Sequence, residues 1–432
     1  MSKFYQLRFN LFAYVILFIL LSYSFVFNIV PVFSWFELNI NFIKIFFSFL
    51  ANFVIVTFLP VDFKKPSSIF MHIQYLFPIL PMLIMFGISD LSSSYMIMVL
   101  AGFYILLLTR NINLRPLHFQ KISRELLIIF FFFMISIIIL FEIIVNGKSL
   151  NFNFFDIYIV RLENELTSSG GIMGYLIALT STVFIPFLLI LSLHRKSIVM
   201  IMSSLVLAIF FFGITNYKSV LFYPFLVIAI YFFLSRTNPI RDLLISLLIL
   251  TFFSIAVFPS LTEGELIGSD FLRVSVTALG VRRVFFEPSL INFFYYEFFK
   301  LNEFVYWSNS NLTFGLFDYP YSLDPAHQIG FYFYGTELQG ANTGWLGSGY
   351  MNAGYLGVYL YAFLLGLIFS FIDSYKNLID SKYLVAFTIS PLFVLFLSSD
   401  FFSALLTHGI ALSIILLFFI SNQSSSSKYK FI

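Results

Sequence analysis

Two adjacent arginines, Arg282 and Arg283, stand in FLRVSVTALGVRRVFFEPSLINFFYYEFFKL (271–301), with Arg273 just before them and aromatic residues after. A guanidinium presents a planar fork of N–H donors that matches phosphate, so arginines at the rim of an apolar surface suit the head of a phosphorylated lipid. A local alternative is a helical i,i+4 pair between Arg283 and Glu287, and adjacent arginines on a helix point about 100° apart. A second stretch, NFNFFDIYIVRLENELTSSGG (151–171), carries Arg161 on the polar side of a helix expected to lie in the membrane interface. There Arg161 is either an anion ligand or the helical partner of Glu165.

A third stretch, 306–349, interleaves Trp307, Tyr319, Tyr321, Tyr332, Tyr334 and Trp345 with Asp324, His327, Gln328 and Glu337. Aromatic faces that meet sugar C–H groups, beside side chains that bond hydroxyls, would make a saccharide-binding surface. An interfacial aromatic belt explains the rings but not the concentrated polar residues. Asp324, His327 and Glu337 are the groups there with the chemistry of a general base.

Other motifs fall away. NGKS (146–149) imitates the tail of a phosphate-binding loop, but Glu142 stands where its first glycine is needed. The histidines at 72, 118, 194, 327 and 408 have no paired ligand spacing, and without cysteine there is neither thiol chemistry nor a disulfide. No metal or cofactor is expected. A net charge of +3 makes no case for nucleic acid.

The elements that must position these residues follow from composition. With 60% hydrophobic, 21% aromatic and 10% charged residues, the chain lies far from the roughly 25% charged content of soluble domains. It reads as an all-α polytopic membrane protein with about twelve transmembrane helices, near 10–33, 40–60, 69–88, 92–109, 126–145, 172–193, 197–213, 219–234, 243–259, 345–371, 383–398 and 403–421. The first lacks a small-residue cleavage site and is expected to be a retained anchor. Alternate connections carry Lys64 and Lys65; Arg110, Arg115, Lys121 and Arg124; Arg195 and Lys196; Arg236 and Arg241; Lys376 and Lys382. Both ends of the chain are basic too, whereas the short opposite connections hold Lys148, Arg161 and Lys218. The positive-inside rule then puts both termini in the cytoplasm.

This divides the chain into a bundle of nine spans (1–259) with a medium outer loop at 146–171, a large outer loop (260–344) with interfacial helices, three last spans (345–421) and a polar cytoplasmic tail (422–432). The aromatics of 271–301 are expected to rest in the lipid surface. Lys44 and Glu142 lie close enough to the outer edge to snorkel or sit at the surface.

The large loop ends in GANTGWLGSGYMNAGYLGVYLYAFLLGL (340–367). In it Gly344, Gly347 and Gly349 would allow a tight or left-handed backbone, Trp345 would anchor the interface, and Gly354, Gly357 and Gly366 would let a neighbouring helix approach. The run Ala341, Asn342, Gly344 to Tyr350 and Asn352 to Val358, entering a late helix after a long outer loop, resembles bacterial oligosaccharide repeat-unit polymerases of the O-antigen (Wzy) type. So does the layout of about a dozen spans with cytoplasmic termini.

The resemblance implies a glycosyltransferase of the bacterial inner membrane, acting at its periplasmic face. Its partners would be undecaprenyl-diphosphate-linked glycans as donor and acceptor, membrane lipid, and a chain-length regulator. The acceptor hydroxyl would attack the donor's anomeric carbon and expel the lipid diphosphate. On that reading Arg161, Arg273, Arg282 and Arg283 stabilise the leaving charge, and His327, Asp324 or Glu337 serves as base. Lys218, Trp307, Tyr319, Tyr321, Trp345, Asn342 and Asn352 become substrate contacts, although Lys218 is equally a snorkelling lysine at a membrane end. A lipid-linked oligosaccharide flippase and an O-antigen ligase stay open as alternatives.

Overall fold

The computed structural model describes residues 3–117, 122–153, 171–257, 277–310 and 313–421. Arg161, Arg273, the expected interfacial helix around Arg161 and the polar tail at 422–432 fall outside the described residues.

In chain order the helices are α1 (Gln6–Ile29), α2 (Phe42–Phe58), α3 (Pro66–Ile88), α4 (Ser93–Thr109), α5 (Arg124–Ile144), α6 (Ile172–Arg195), α7 (Ile198–Thr215), α8 (Lys218–Leu234), α9 (Pro239–Val257), α10 (Glu287–Phe299), α11 (Pro325–Tyr334), α12 (Trp345–Ser374), α13 (Ser381–Leu397) and α14 (Phe401–Ile420). Among the described residues there is no strand. Eight of these helices, α1, α3, α5, α6, α7, α9, α12 and α14, are long and apolar enough to cross a membrane; α2, α4, α8 and α13 are shorter apolar helices. Helix is the required answer for such sequences, because backbone N–H and C=O groups find no water partner in lipid.

Polar side chains at the helix starts close the first turns. Asn41, Ser92, Ser123 and Ser197 accept from the backbone N–H three residues on, at the starts of α2, α4, α5 and α7. Lys196 and Asn216, at φ 53° and 54°, end α6 and α7 in the left-handed region. Inside α3, Pro78 lacks an N–H, and the helix widens to a π turn over Tyr75–Ile79.

The chain forms two compact units. One comprises Met1–Ile112, Arg236–Ser370 and Leu395–Phe401; the other comprises Asn113–Ser235, Phe371–Val394 and Phe402–Ile432.

In the first unit α3 is the core helix. His72 on it is fully buried and held by the Tyr14 hydroxyl at Nδ1 (2.7 Å) and the Pro60 carbonyl at Nε2 (3.1 Å), while the Tyr75 hydroxyl donates to Asn52 Oδ1 at 2.5 Å. Lys44 pairs with Asp90 at 2.6 Å and donates to the Leu91 carbonyl at 2.7 Å. The aromatics expected to rest in lipid are protein core instead: Phe285, Phe286, Phe294, Tyr295, Tyr296, Phe298 and Phe299 are buried. They bear on neighbouring rings, as where Phe285 stacks on Phe77 (5.4 Å) and Phe294 on Phe333 (4.0 Å).

The last stretch also departs from expectation. α12 breaks at Ala353 (φ −154°, ψ 32°) and Gly354 (φ 59°, ψ −139°), so 345–371 is two helical pieces and not one continuous helix. Its first piece turns back until Gly349 touches the backbone of Gly357 and Val358, and a Cβ on Gly349 would stand 3.0 Å from Val358 Cα. Gly344 and Gly347 are close-approach positions against the Phe396 carbonyl and Thr343. Gly354 supplies the break, Gly357 receives the first helical piece at Gly349, and Gly366 faces Thr109 of α4. Trp345 is no interfacial anchor: it is fully buried, and its Nε1 donates to Gln74 Oε1 at 2.9 Å.

In the second unit Glu142 is not at the surface. It is fully buried, pairs with Lys148 at 2.7 Å, and accepts from Asn146 Nδ2 at 2.9 Å. Removing one member of a buried pair strands the other charge, which costs about 3–5 kcal/mol. Lys148→Met is therefore expected to lower the unfolding midpoint in detergent markedly, and Lys148→Met with Glu142→Gln to recover most of the loss. Equal midpoints for the single variant and the wild type would remove the pair from the stability of this unit.

Candidate functional site

The Arg282 cluster depends on helix winding. Ala278–Phe286 is a π-helix that runs directly into α10, and the N–H of Glu287 bonds to the carbonyl of Arg282, five residues back. The wider i,i+5 turn brings side chains five residues apart within reach of each other. Arg282, and not Arg283, therefore meets Glu287, in an ion pair from Nη1 to Oε2. Arg283 is exposed.

Arg282 is 8% exposed and lies over the rings of Phe33 (4.3 Å) and Trp35 (5.6 Å). Both rings favour its charge electrostatically. The Tyr334 hydroxyl donates to the other oxygen of Glu287 at 2.9 Å, and Trp35 meets the Tyr334 ring edge-on at 6.0 Å. Arg282 Nε has no hydrogen-bond partner among the described residues, so one edge of the guanidinium remains to be satisfied.

α10 and α11 hold this cluster through rings. Phe298 packs on Tyr332 (5.1 Å) and Tyr321 (5.6 Å), and Tyr319 packs on Tyr321 (5.7 Å). The tyrosines expected to form a sugar platform are thus partly spent on internal packing. Tyr321 donates to the Glu303 carbonyl at 2.5 Å and Tyr319 to the Leu323 carbonyl at 2.7 Å. Burial first, then the Glu303 carboxylate, pushes the Tyr321 hydroxyl up to about 12. Burial raises Tyr319 and Tyr334 as well, with Asp324 and Glu287 adding to the respective effects. These hydroxyls stay protonated near neutral pH and act as donors, which leaves base chemistry to imidazole and carboxylates.

Asp324 caps α11, accepting from the N–H groups of Ala326 (3.0 Å) and His327 (3.3 Å) through Oδ1. Its Oδ2 meets His327 Nδ1 at 2.5 Å. With a carboxylate accepting from Nδ1–H, the neutral ring carries its lone pair on Nε2. The segment 339–341 runs along α11: the Gln339 carbonyl fills the space where Gly330 has no side chain, and Ala341 N–H donates to Ala326 O at 2.9 Å. Glu337 and Asn342 are exposed.

A second polar cluster surrounds the break in α12. The carbonyls of Met351 and Asn352 accept from Val305 N (2.9 Å) and Tyr306 N (3.1 Å). Trp307 donates through its backbone N to Asn352 Oδ1 (2.8 Å) and through Nε1 to the Tyr361 hydroxyl (2.7 Å). That hydroxyl donates to Asp400 Oδ1 at 2.8 Å, and Asn352 Nδ2 reaches the same oxygen at 3.2 Å. Tyr306 and Trp307 adopt φ of 49° and 60°, a conformation that costs roughly 1–2 kcal/mol for each non-glycine residue. α10 ties the two clusters together: Asn292 Oδ1 accepts from Gly347 N (2.7 Å) and Thr343 Oγ1 (3.0 Å) at the start of α12.

Of the residues singled out from sequence, Arg282 is built into one cluster, Trp307 and Asn352 into another, and His327 with Asp324 into a third on the same α11 that carries Tyr334. Trp345 is a core side chain. Lys218 opens α8 in the second unit. Sequence reading missed Glu287 as Arg282's partner, Asn292 and Asp400. Asp400 left a signal, a carboxylate alone in a short turn between two apolar runs. Among the described residues no three His, Asp or Glu side chains converge as a metal site.

Fold and composition define the class: an all-helical, multi-pass membrane protein. No protein-family model, no curated protein and no solved structure matches the chain.

Proposed function

We propose that the chain is a glycosyltransferase of the bacterial inner membrane that joins undecaprenyl-diphosphate-linked repeat units at the periplasmic face. In this reading the eight long helices and the four shorter apolar ones make twelve spans, with both termini cytoplasmic. The observation that carries the proposal is a buried, ring-caged arginine and a partly exposed His–Asp pair served by one helix pair, α10 and α11. Tyr334 and His327 are seven residues apart on α11, roughly 10 Å along the axis. That spacing suits a reaction with a leaving diphosphate at one end and an attacking hydroxyl at the other.

The acceptor hydroxyl attacks the donor's anomeric carbon, its proton passes to His327 Nε2, and the bond from that carbon to the diphosphate oxygen breaks. Asp324 orients the imidazole and stabilises it once protonated. Arg282, with its unsatisfied Nε edge, and Arg283 meet the negative charge that grows on the diphosphate. The leaving group needs no nucleotide.

The test is deletion of the gene in its own strain, with surface lipopolysaccharide resolved on a gel. Collapse of the ladder to core plus one repeat is expected; loss of every repeat points to a flippase or ligase, and an unchanged ladder overturns the proposal. His327→Gln is expected to lower polymerisation by about 10²–10⁴-fold, the usual contribution of a positioned base. Because His327 is partly exposed, the variant should reach wild-type protein levels; a full ladder from it would move the base role to Glu337 or Asp400.

A further inference from the structure

No large hydrophobic side chain among the described residues is more exposed than Phe314, at 92%, with Leu316 at 80% and Phe317 at 52% beside it. Phe314 and Gly315, at φ 50° and 76°, turn the chain so that these side chains project from the loop between α10 and α11. Loop tips in water do not ordinarily present three such residues together. The stretch 304–317, FVYWSNSNLTFGLF, also carries no charge, and Glu303 and Asp318 bound it.

A row of rings leads from this tip to the uncovered face of α12. Phe317 meets Tyr306 (5.8 Å), Tyr306 meets Phe304 (6.1 Å), Phe304 meets Tyr350 (5.8 Å), Tyr350 meets Tyr355 (5.8 Å) and Tyr355 meets Tyr359 (6.5 Å). At the far end Leu356, Leu360 and Phe363 are exposed on a helix apolar enough to cross a membrane. After the break, Tyr355–Ser374 spans about 30 Å at 1.5 Å per residue, the thickness of a hydrocarbon core. Its first turn, and with it the ring row, then falls at the membrane–water boundary, where aromatic residues concentrate.

We infer that Phe314, Leu316 and Phe317 insert into the lipid leaflet beside the first turn after the break, so that this loop is a membrane anchor. The occupant of the apolar tip is bilayer lipid, because the tip is continuous with the lipid-facing surface of α12 and free of charge. Anchored there, the loop holds Trp307 and the α12 break at the level of the headgroups.

The chain contains no cysteine, so Phe314→Cys and Leu316→Cys each create a unique labelling site where the native side chain packs against little. Each variant, labelled with an environment-sensitive fluorophore and placed in lipid nanodiscs, is expected to emit blue-shifted light that lipid-borne nitroxide quenches and aqueous iodide does not. Asp318→Cys, at the charged boundary, should emit as in water. Water-like emission at 314 and 316 overturns the inference. So does blue-shifted emission that lipid nitroxide leaves unchanged, which would mean that protein covers the tip. The measurement reads no glycan chemistry, so its failure would leave the proposed transferase activity standing.

Discussion

If the proposed transferase reading holds, Arg282→Met is expected to abolish the polysaccharide ladder, and in any case to lower the unfolding midpoint of the purified protein. The two losses have different origins, and a second variant separates them. Arg282 neutralises Glu287 in a largely buried setting, so its removal strands a carboxylate at a cost of about 3–5 kcal/mol. Arg282→Met with Glu287→Gln leaves no charge behind and keeps an acceptor for the Tyr334 hydroxyl. That double variant should regain most of the stability and none of the activity. If polymer returns along with stability, Arg282 is a structural residue and the leaving diphosphate is met elsewhere. Arg282→Lys, which keeps the charge but loses the fork and the stacking on Phe33 and Trp35, should fall between.

Gly354→Val is expected to be the most disruptive single change outside that cluster. Gly354 has φ 59° and ψ −139°, near a region that only glycine enters without strain of about 1–3 kcal/mol. A Cβ there would also stand 3.0 Å from the Phe304 ring, and overpacking typically adds about 1–3 kcal/mol. The variant should melt earlier and shift Trp307 emission, because Trp307 is bonded to Asn352 and Tyr361 across the break. Gly174→Ala is the control: that glycine lies in α6 with open space around it, so alanine should be neutral or stabilising. Identical melting of Gly354→Val and the wild type would mean that the two halves of α12 are not held in the bent form.

The helices were legible in the sequence because lipid imposes a length and an apolarity that few other contexts demand; every apolar run read as a span contains a helix. The locations of the aromatics were not. Phe285 and Phe298 would be as comfortable against acyl chains as against other side chains, so composition alone cannot say which solvent a ring has. Asn352 and Trp307 were singled out as ligand contacts, but their bonds to each other close over 45 residues of sequence that no local spacing links. Asp400 joined them from farther still. The glycines of 340–367 announced unusual backbone without telling which of them would supply the turn.

The π-helix before α10 gives the pair Arg282 and Arg283 a further meaning. The two side chains are chemically the same, and charge pattern alone would assign the carboxylate to Arg283. Winding decides otherwise, since the wider turn carries Arg282 into the ring cage while Arg283 is exposed. Rewinding this turn as an α-helix, with the sequence unchanged, would set Arg283 one α-turn before Glu287 and exchange their places. The division of labour between a caged arginine and an exposed one is thus recorded in the pitch of the helix.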